Sequence, residues 1–368
     1  MKWKKKKLTD FVWFQRGFDL PKDKFINGEF PVVGSTSILG YHSEAKVKAP
    51  GIVTGRSGTI GQFQFLKNDF WPHNTSLWVK DFFGNDERFA FYLLHLLDFN
   101  SLNGGGAVPS LNRNFLSSIY VNIPPLPTQR RIASILSAYD DLIENNLKQI
   151  KLLEETININ YKNLIFNKNN IHNKKDFSKI KLNSFVEIIS GFPFKSNYYN
   201  ENGKHKIVTI KNVQDGFFVP KVTDRIEEIP NNMNKALLLS TNDIIMSLTG
   251  NVGRVCLVYG DDFVLNQRVV KLHPRDKIDL GYLYALMRDR NMLTLLENLS
   301  NGTAQQNLSP IKMGEILTYY PDYNIREDFN KINLPMIELI CKLNIQNTKL
   351  REARDILLPR LMSGEIEV

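Results

Sequence analysis

Ile123-Pro124-Pro125-Leu126-Pro127-Thr128-Gln129-Arg130-Arg131-Ile132 closes a β-type run, Ile119-Tyr120-Val121, and opens a helix. The prolines stop the strand and suit a first helical turn, where a missing N–H leaves no bond unmade. Downstream, Ile132, Leu136, Tyr139, Ile143, Leu147, Ile150, Leu153 and Ile157 recur at gaps of three and four. That spacing predicts one long amphipathic helix with a near-heptad stripe. A weaker copy of the junction lies 197 residues on, the separation of Pro124 from Pro321 and of Leu111 from Leu308. There Ile316-Leu317-Thr318 leads into Tyr320-Pro321-Asp322-Tyr323-Asn324-Ile325-Arg326. Phe329, Ile332, Met336, Leu339, Leu343, Leu350 and Leu357 form a second stripe, interrupted by Gln346-Asn347. Pro335 is expected to kink or restart this helix, and Pro359 with Gly364 to end it.

Working outward, the chain reads as one plan used twice. Gly17-Phe18 follows Phe11-Val12 as Gly191-Phe192 follows Phe185-Val186. Thr54-Gly55-Arg56-Ser57-Gly58-Thr59-Ile60-Gly61 is matched by Ser247-Leu248-Thr249-Gly250-Asn251-Val252-Gly253-Arg254, and residues 104–111 by 301–308. The polar stretch 167–175 reads as a linker. Each half carries short β candidates, among them 51–53, 63–65, 76–79, 206–210 and 254–259, with helices expected at 86–97 and 280–296. Each domain is therefore expected to be α+β, followed by a long helix, with the two helices pairing antiparallel.

Composition bounds the function. The chain has 368 residues, 42% hydrophobic and 23% charged. That fits two ordinary globular domains rather than disorder. No apolar run approaches the ~20 residues of a membrane helix, and no signal-peptide core follows the basic start. With two cysteines, Cys256 and Cys341, a reducing, cytoplasmic setting without disulfides is the simplest expectation. The net charge of +9 permits a polyanionic partner. The six histidines and two cysteines show no metal-ligand spacing. There is no phosphate-binding Gly-Lys loop, no nucleophile elbow and no Asn- or Asp-Pro-Pro-Tyr methyltransferase signature. Catalytic and metal residues are therefore none, and the 55–61 glycines read as a hairpin turn.

The loops instead carry groups that bind phosphates and base edges. In the first domain the candidates are Ser35, Thr36, Tyr41, His42, Thr54, Arg56, Ser57 and Thr59. In the second they are Lys195, Lys211, Asn212, Gln214, Ser247, Thr249, Asn251, Arg254, Gln267 and Arg268. An ordinary turn explains any one of them. Two Gly- and Arg-containing loops at matching places favour function.

Three stretches carry a family resemblance. Phe30-Pro31-Val32-Val33-Gly34-Ser35-Thr36-Ser37-Ile38-Leu39-Gly40-Tyr41-His42, with 51–61, resembles the start of a target recognition domain. Residues 123–136, with Asp140 and Ile143, resemble the start of a central conserved helix. Residues 350–366, with Leu357-Leu358-Pro359-Arg360-Leu361-Met362-Ser363-Gly364, resemble a C-terminal ending. Together they resemble the specificity subunit of type I restriction–modification systems over nearly the whole chain. Tyr320-Pro321-Asp322-Tyr323 departs from the Pro-Pro-Leu-Pro pattern of the first junction.

The resemblance implies a first target recognition domain at 1–127 and a central helical spacer at 128–166. A linker at 167–178 leads to a second target recognition domain at 179–325 and a C-terminal conserved helix at 326–368. It implies that each domain binds one half of a bipartite double-stranded DNA target. The helices, through Ile132, Leu136, Tyr139, Ile143, Leu147, Ile150, Leu153, Met336, Leu343, Leu350 and Leu357, would form an antiparallel coiled-coil spacer. They would also dock two methyltransferase subunits. Restriction–translocase subunits join, and S-adenosylmethionine, ATP and Mg belong on those partners, with no cofactor on this chain. The competing expectation is a coiled-coil scaffold with two protein-binding modules and no DNA. A third is a DNA enzyme with divergent motifs.

Overall fold

Each half of the chain is closed by a two-stranded ribbon joining its first strand to its last. The computed structural model describes residues 3–56, 60–99, 116–166, 176–300 and 307–368. The first half runs β1 (Lys4–Lys7), β2 (Trp13–Arg16), β3 (Phe30–Val33), β4 (Ile38–His42), β5 (Gly51–Gly55), β6 (Phe63–Leu66), β7 (Trp71–Pro72), β8 (Ser76–Asp81), α1 (Glu87–His95), β9 (Tyr120–Ile123) and the long helix α2 (Leu126–Phe166). The second runs β10 (Phe177–Lys181), β11 (Val186–Ser190), β12 (His205–Val208), β13 (Arg225–Ile226), β14 (Leu238–Leu239), β15 (Ile244–Ser247), β16 (Val255–Leu257), β17 (Phe263–Leu265), β18 (Val269–Pro274), α3 (Leu280–Arg288), α4 (Arg290–Ser300), α5 (Pro310–Gly314), β19 (Leu317–Pro321) and α6 (Tyr323–Ser363).

The topology is duplicated strand for strand. The ribbon β1-β9 recurs as β10-β19, and the sheet β2-β8-β5-β6 recurs as β11-β18-β15-β16. The sheet β4-β3-β7 recurs as β13-β12-β17, extended by β14. In both small sheets one pair is parallel, β3 with β7 and β12 with β17. The fold is α+β, in two tandem domains each followed by a 41-residue helix.

Compactness divides the chain into residues 1–143 with 350–368, and residues 144–349. In the first unit Leu8, Phe11, Ile52, Leu77, Phe89 and Leu94 form a core closed by Ile132 and Leu136 of α2 and Leu361 and Met362 of α6. In the second, Val186, Ile245, Val264, Val270, Tyr282 and Tyr284 pack on Ile337, Ile340 and Cys341 of α6. Each such side chain removed from water contributes about 1.5–3 kcal/mol, so a long helix is the seat on which each domain rests.

The junctions show why these helices start where they do. In the first unit the Asp86 side chain caps α1 by accepting from Phe89 N at 2.8 Å. Gln129 accepts from Asp86 N at 3.0 Å and donates to Pro124 O at 3.0 Å. In the second unit Arg326, 197 residues after Gln129, donates to Pro321 O at 2.9 Å and pairs with buried Asp279 at the start of α3. One clamp is therefore built from an amide in one domain and from an ion pair in the other.

Several expectations are corrected. Residues 126–127 and 323–325 are already helical, and residues 177–178 begin β10 rather than ending a linker. Of the rest of the linker, residues 167–175 lie outside the described residues. The helix expected over 280–296 is two helices divided at Asp289. α6 runs unbroken through Pro335 and Pro359, both exposed, where water can meet a carbonyl that lacks its usual partner. It ends at Gly364, whose φ is +78°. The stripes are also shifted. Leu147 is 40% exposed and Asn146 is buried in its stead, while Ile332 and Leu339 face outward and Asn333, Ile337, Ile340, Asn344 and Asn347 face inward.

The helices run antiparallel in each unit. In the first, Arg354 of α6 pairs with Asp140 of α2 at 2.5 Å. In the second, Asn146 Nδ2 donates to Asn347 Oδ1 at 2.9 Å and Asn160 Nδ2 to Asn333 Oδ1 at 3.0 Å. Buried amide pairs in an apolar seam hold one register, because a slip strands their polar groups.

Candidate nucleic-acid interface

Strand direction gathers the candidate loops. In the first unit β2 and β5 run toward one end of their sheet, and antiparallel β8 departs from it. The loops that follow β2, β3 and β5 and precede β8 therefore share that end. Backbone bonds lock them: Phe18 bridges His73, His73 N donates to Val33 O at 2.8 Å, and Gly17 N to Ser76 O at 3.0 Å. A Cβ on Gly17 would lie 2.1 Å from His73 O. The second unit repeats this, with Phe192 bridging Asn266, Asn266 N donating to Val208 O at 3.0 Å, and a Cβ on Gly191 lying 2.1 Å from Asn266 O. The Gly-Phe match in the sequence marks a crossing of two backbones too close for any side chain.

In the first unit the loop end centres on Thr75. Ser35 Oγ donates to Thr75 O at 2.9 Å, Arg56 N donates to the same oxygen at 3.1 Å, and the His73 ring lies 3.0 Å from Thr75 Oγ1. Thr36 stands exposed beside Ser35. Arg16 lies 3.6 Å from Asp19, and Asn74 donates to Asp19. Sequence reading missed Arg16, His73, Asn74 and Thr75. For His73, Asn74 and Thr75 the signal is the alignment of residues 73–75 with 266–268, which include the candidates Gln267 and Arg268. Three candidates fall elsewhere. Tyr41 and His42 sit at the far end of β4, where His42 is buried, lies 5.0 Å from the Trp71 ring and accepts from Glu44 N. Thr54 is wholly buried between β6 and β8. Ser57 and Thr59 lie outside the described residues.

In the second unit most candidates meet at the loop end, in two roles. Asn212 and Ser247 are buried and build the loops. Asn212 Oδ1 accepts from Thr209 N at 2.9 Å, and its Nδ2 donates to Val219 O at 2.9 Å. Ser247 Oγ donates to Asn251 O, closing the turn to β16. Lys195, Lys211, Asn251, Gln267 and Arg268 are exposed, and Gln214, Thr249 and Arg254 are half-buried. Among the described residues, Lys195, Lys211, Arg254 and Arg268 have no acidic partner within 4 Å. A crown of unneutralised cations, hydroxyls and amides can meet phosphates and base edges.

One match is off by a residue. Thr54 lies opposite Phe63 in the first unit, and Met246 opposite Val255 in the second. Gly61 and Gly253 then coincide, with φ of +78° and +79°. Arg56 thus corresponds to Leu248, and Arg254 to Gln62. The two arginines occupy different places on the same loop.

Behind the second crown, Arg288 ties Asp215 to Glu154 of α2, with Nε 3.6 Å from the Glu154 carboxylate, which also accepts from Tyr284. Burial pushes the Glu154 carboxyl up, and Arg288 and Tyr284 oppose that shift. Burial likewise raises the Cys256 thiol and pushes Cys341 up to about 12, so both are poor nucleophiles. Among the described residues no group of three or more His, Cys, Asp or Glu is placed to hold a metal, and no helix is long and apolar enough to cross a membrane.

The family model of the type I restriction modification DNA specificity domain matches residues 1–155 and again residues 174–325. This chain belongs to that family. The two specificity-domain matches correspond to the two copies of the strand plan above. The chain is 26% identical over 345 residues to the type I restriction enzyme MjaIX specificity subunit of Methanocaldococcus jannaschii, covering 86% of this chain and 77% of that one. It is 26% identical over 302 residues to the MjaVIII specificity subunit of the same organism, covering 77% and 71%. The crystal structure of a type I restriction-modification system S subunit from M. genitalium shares the fold, with a TM-score of 0.66 at 17% identity over 98% of this chain and 96% of that one. Specificity subunits of this family are in general non-catalytic.

Proposed function

We propose that this chain is the DNA-specificity subunit of a type I restriction–modification complex. Each domain reads one half of a bipartite target through its loop end, and α2 with α6 sets the interval between the halves. The observation that carries this reading is the repetition of one loop crown, on one strand plan, in two domains of a single chain. A protein-only scaffold has no use for unpaired Lys195, Lys211, Arg254 and Arg268 beside Gln267 and Asn251. A polyanion does.

In this reading the first crown uses Ser35, Thr36 and Arg56 with His73, Asn74 and Thr75, and the second uses Lys195, Lys211, Gln214, Asn251, Arg254, Gln267 and Arg268. Asn212 and Ser247 shape the loops instead, while Thr54 and His42 are buried within the strands. Outward Leu152, Ile159 and Ile332, each more than half exposed, suit docking of methyltransferase subunits on the helices. Adenine methylation from S-adenosylmethionine and ATP-driven translocation belong to the partner subunits.

The test is long-read methylation sequencing of a methylation-free host carrying this gene with and without its methyltransferase partner. The expected result is a split, two-part adenine-methylated motif that needs both genes. Two soluble, co-purifying proteins that leave no motif would overturn the reading.

A further inference from the structure

We infer that Arg254, oriented by Gln214 and Asn251, reads a guanine in the half-site bound by the second domain. This deepens the DNA-reading role proposed above and rests on it.

The argument begins with how the guanidinium is held. Arg254 Nη1 donates to Gln214 Oε1 at 2.5 Å. With its oxygen turned to the guanidinium, the Asn251 amide lies 3.2 Å from Nη1 and 3.3 Å from Nη2. Both partners are neutral, so the group is fixed in direction while its charge is not cancelled. An arginine serving only to pin a loop is better served by a carboxylate. Among the described residues Nε–H and one Nη2–H have no acceptor. These two donors lie parallel on one edge of the guanidinium, the fork that matches guanine O6 and N7 in the major groove.

The support behind Gln214 is unusually firm for a loop. Gln214 Nε2 donates to Lys211 O at 3.0 Å, which fixes its amide so that the oxygen faces Arg254. The next residue, Asp215, pairs with Arg288. Gly216 follows at φ +74°, and a Cβ there would lie 2.5 Å from Arg288 Nη2. Gly216 N donates to Val255 O at 2.9 Å, next to Arg254 itself. Arg288 in turn rests on Glu154 of α2. A reading head this well supported loses little entropy when it meets its base. The first domain has Gln62 at the matching place, so the device belongs to the second half-site alone.

The experiment uses the chain in complex with its methyltransferase partner, on duplexes carrying the motif found by methylation sequencing. With the wild-type complex, 7-deazaguanine at one guanine of the second half-site should weaken binding at least about fivefold, because N7 is lost. Arg254→Ala should weaken binding to the unmodified site about 5- to 150-fold and abolish the 7-deaza penalty. Its methylome should relax at that G·C position while the first half-site keeps every letter. Gln214→Ala should shrink the 7-deaza penalty and leave the salt dependence of non-specific binding unchanged, which a merely unfolded loop would not do. A second half-site without guanine on either strand would overturn the inference. So would wild-type indifference to 7-deazaguanine at every guanine of that half-site, or an equal loss by Arg254→Ala on all duplexes. Absence of any bipartite motif with the wild type would instead defeat the DNA-specificity role itself.

Discussion

At the scale of single residues, the two copies solve one problem with different chemistry. The start of α1 is held by Gln129 and the start of α3 by Arg326, each reaching back to the proline that ends a strand. The difference has an energetic consequence. Arg326→Ala leaves Asp279, wholly buried, without its cation, and breaking such a pair from one side costs about 3–5 kcal/mol. Gln129→Ala leaves the Asp86 N–H, the Pro124 carbonyl and the Asn85 side-chain oxygen without that partner, all of them neutral groups, at about 1–3 kcal/mol. Equilibrium urea unfolding of the two variants should place Arg326→Ala well below Gln129→Ala, and equal midpoints would contradict the ion pair's role. The same pair explains what the sequence concealed. Gly17-Phe18 and Gly191-Phe192 were legible because backbone crossing tolerates glycine alone. Gln129 and Arg326 looked like a pattern and its decay because amide and guanidinium share a task and no letter.

At the scale of elements, periodicity predicted both long helices but misplaced their inner faces. Leu147 and Asn146 are neighbours on the helix, and hydrophobicity alone assigns the leucine inward. The helix turns the asparagine inward because Asn347 waits there to accept its N–H. Burial of a polar residue against a partner far away in the chain cannot be read from local spacing. The seam predicts a definite mutational cycle. Asn146→Leu strands the Asn347 amide, whose Nδ2 already lacks a partner, and should cost about 1–3 kcal/mol. Asn146→Leu with Asn347→Leu replaces both polar groups by apolar ones, and should recover most of that loss. The coupling, read from urea midpoints, should reach about 1 kcal/mol, and strict additivity would show the two amides to be independent.

At the scale of the whole molecule, the duplicated order of domain and helix was legible, because prolines, glycines and a 197-residue spacing repeat together. The residues proposed to face DNA were less so: Thr54 and Arg56 are two positions apart, but Thr54 lies within β5 between β6 and β8 and is buried, while Arg56 follows the end of that strand. The spacer role proposed for the helices makes the last prediction. The units divide after Ile143 on α2 and after Lys349 on α6, and within the second unit the register set by Asn146 with Asn347 brings Glu144 level with Lys349. Seven residues inserted at both points lengthen each helix by about 10 Å at ~1.5 Å per residue and keep the heptad phase. The cores and loop crowns of neither unit are touched. About 10 Å is some three base pairs at ~3.4 Å each, which also turns the second half-site by about a third of a turn of duplex. The expected methylome keeps the letters of both half-sites with a longer interval, or loses methylation where the altered phase cannot be met. A methylated motif with its interval unchanged would show that the helices do not set the spacing.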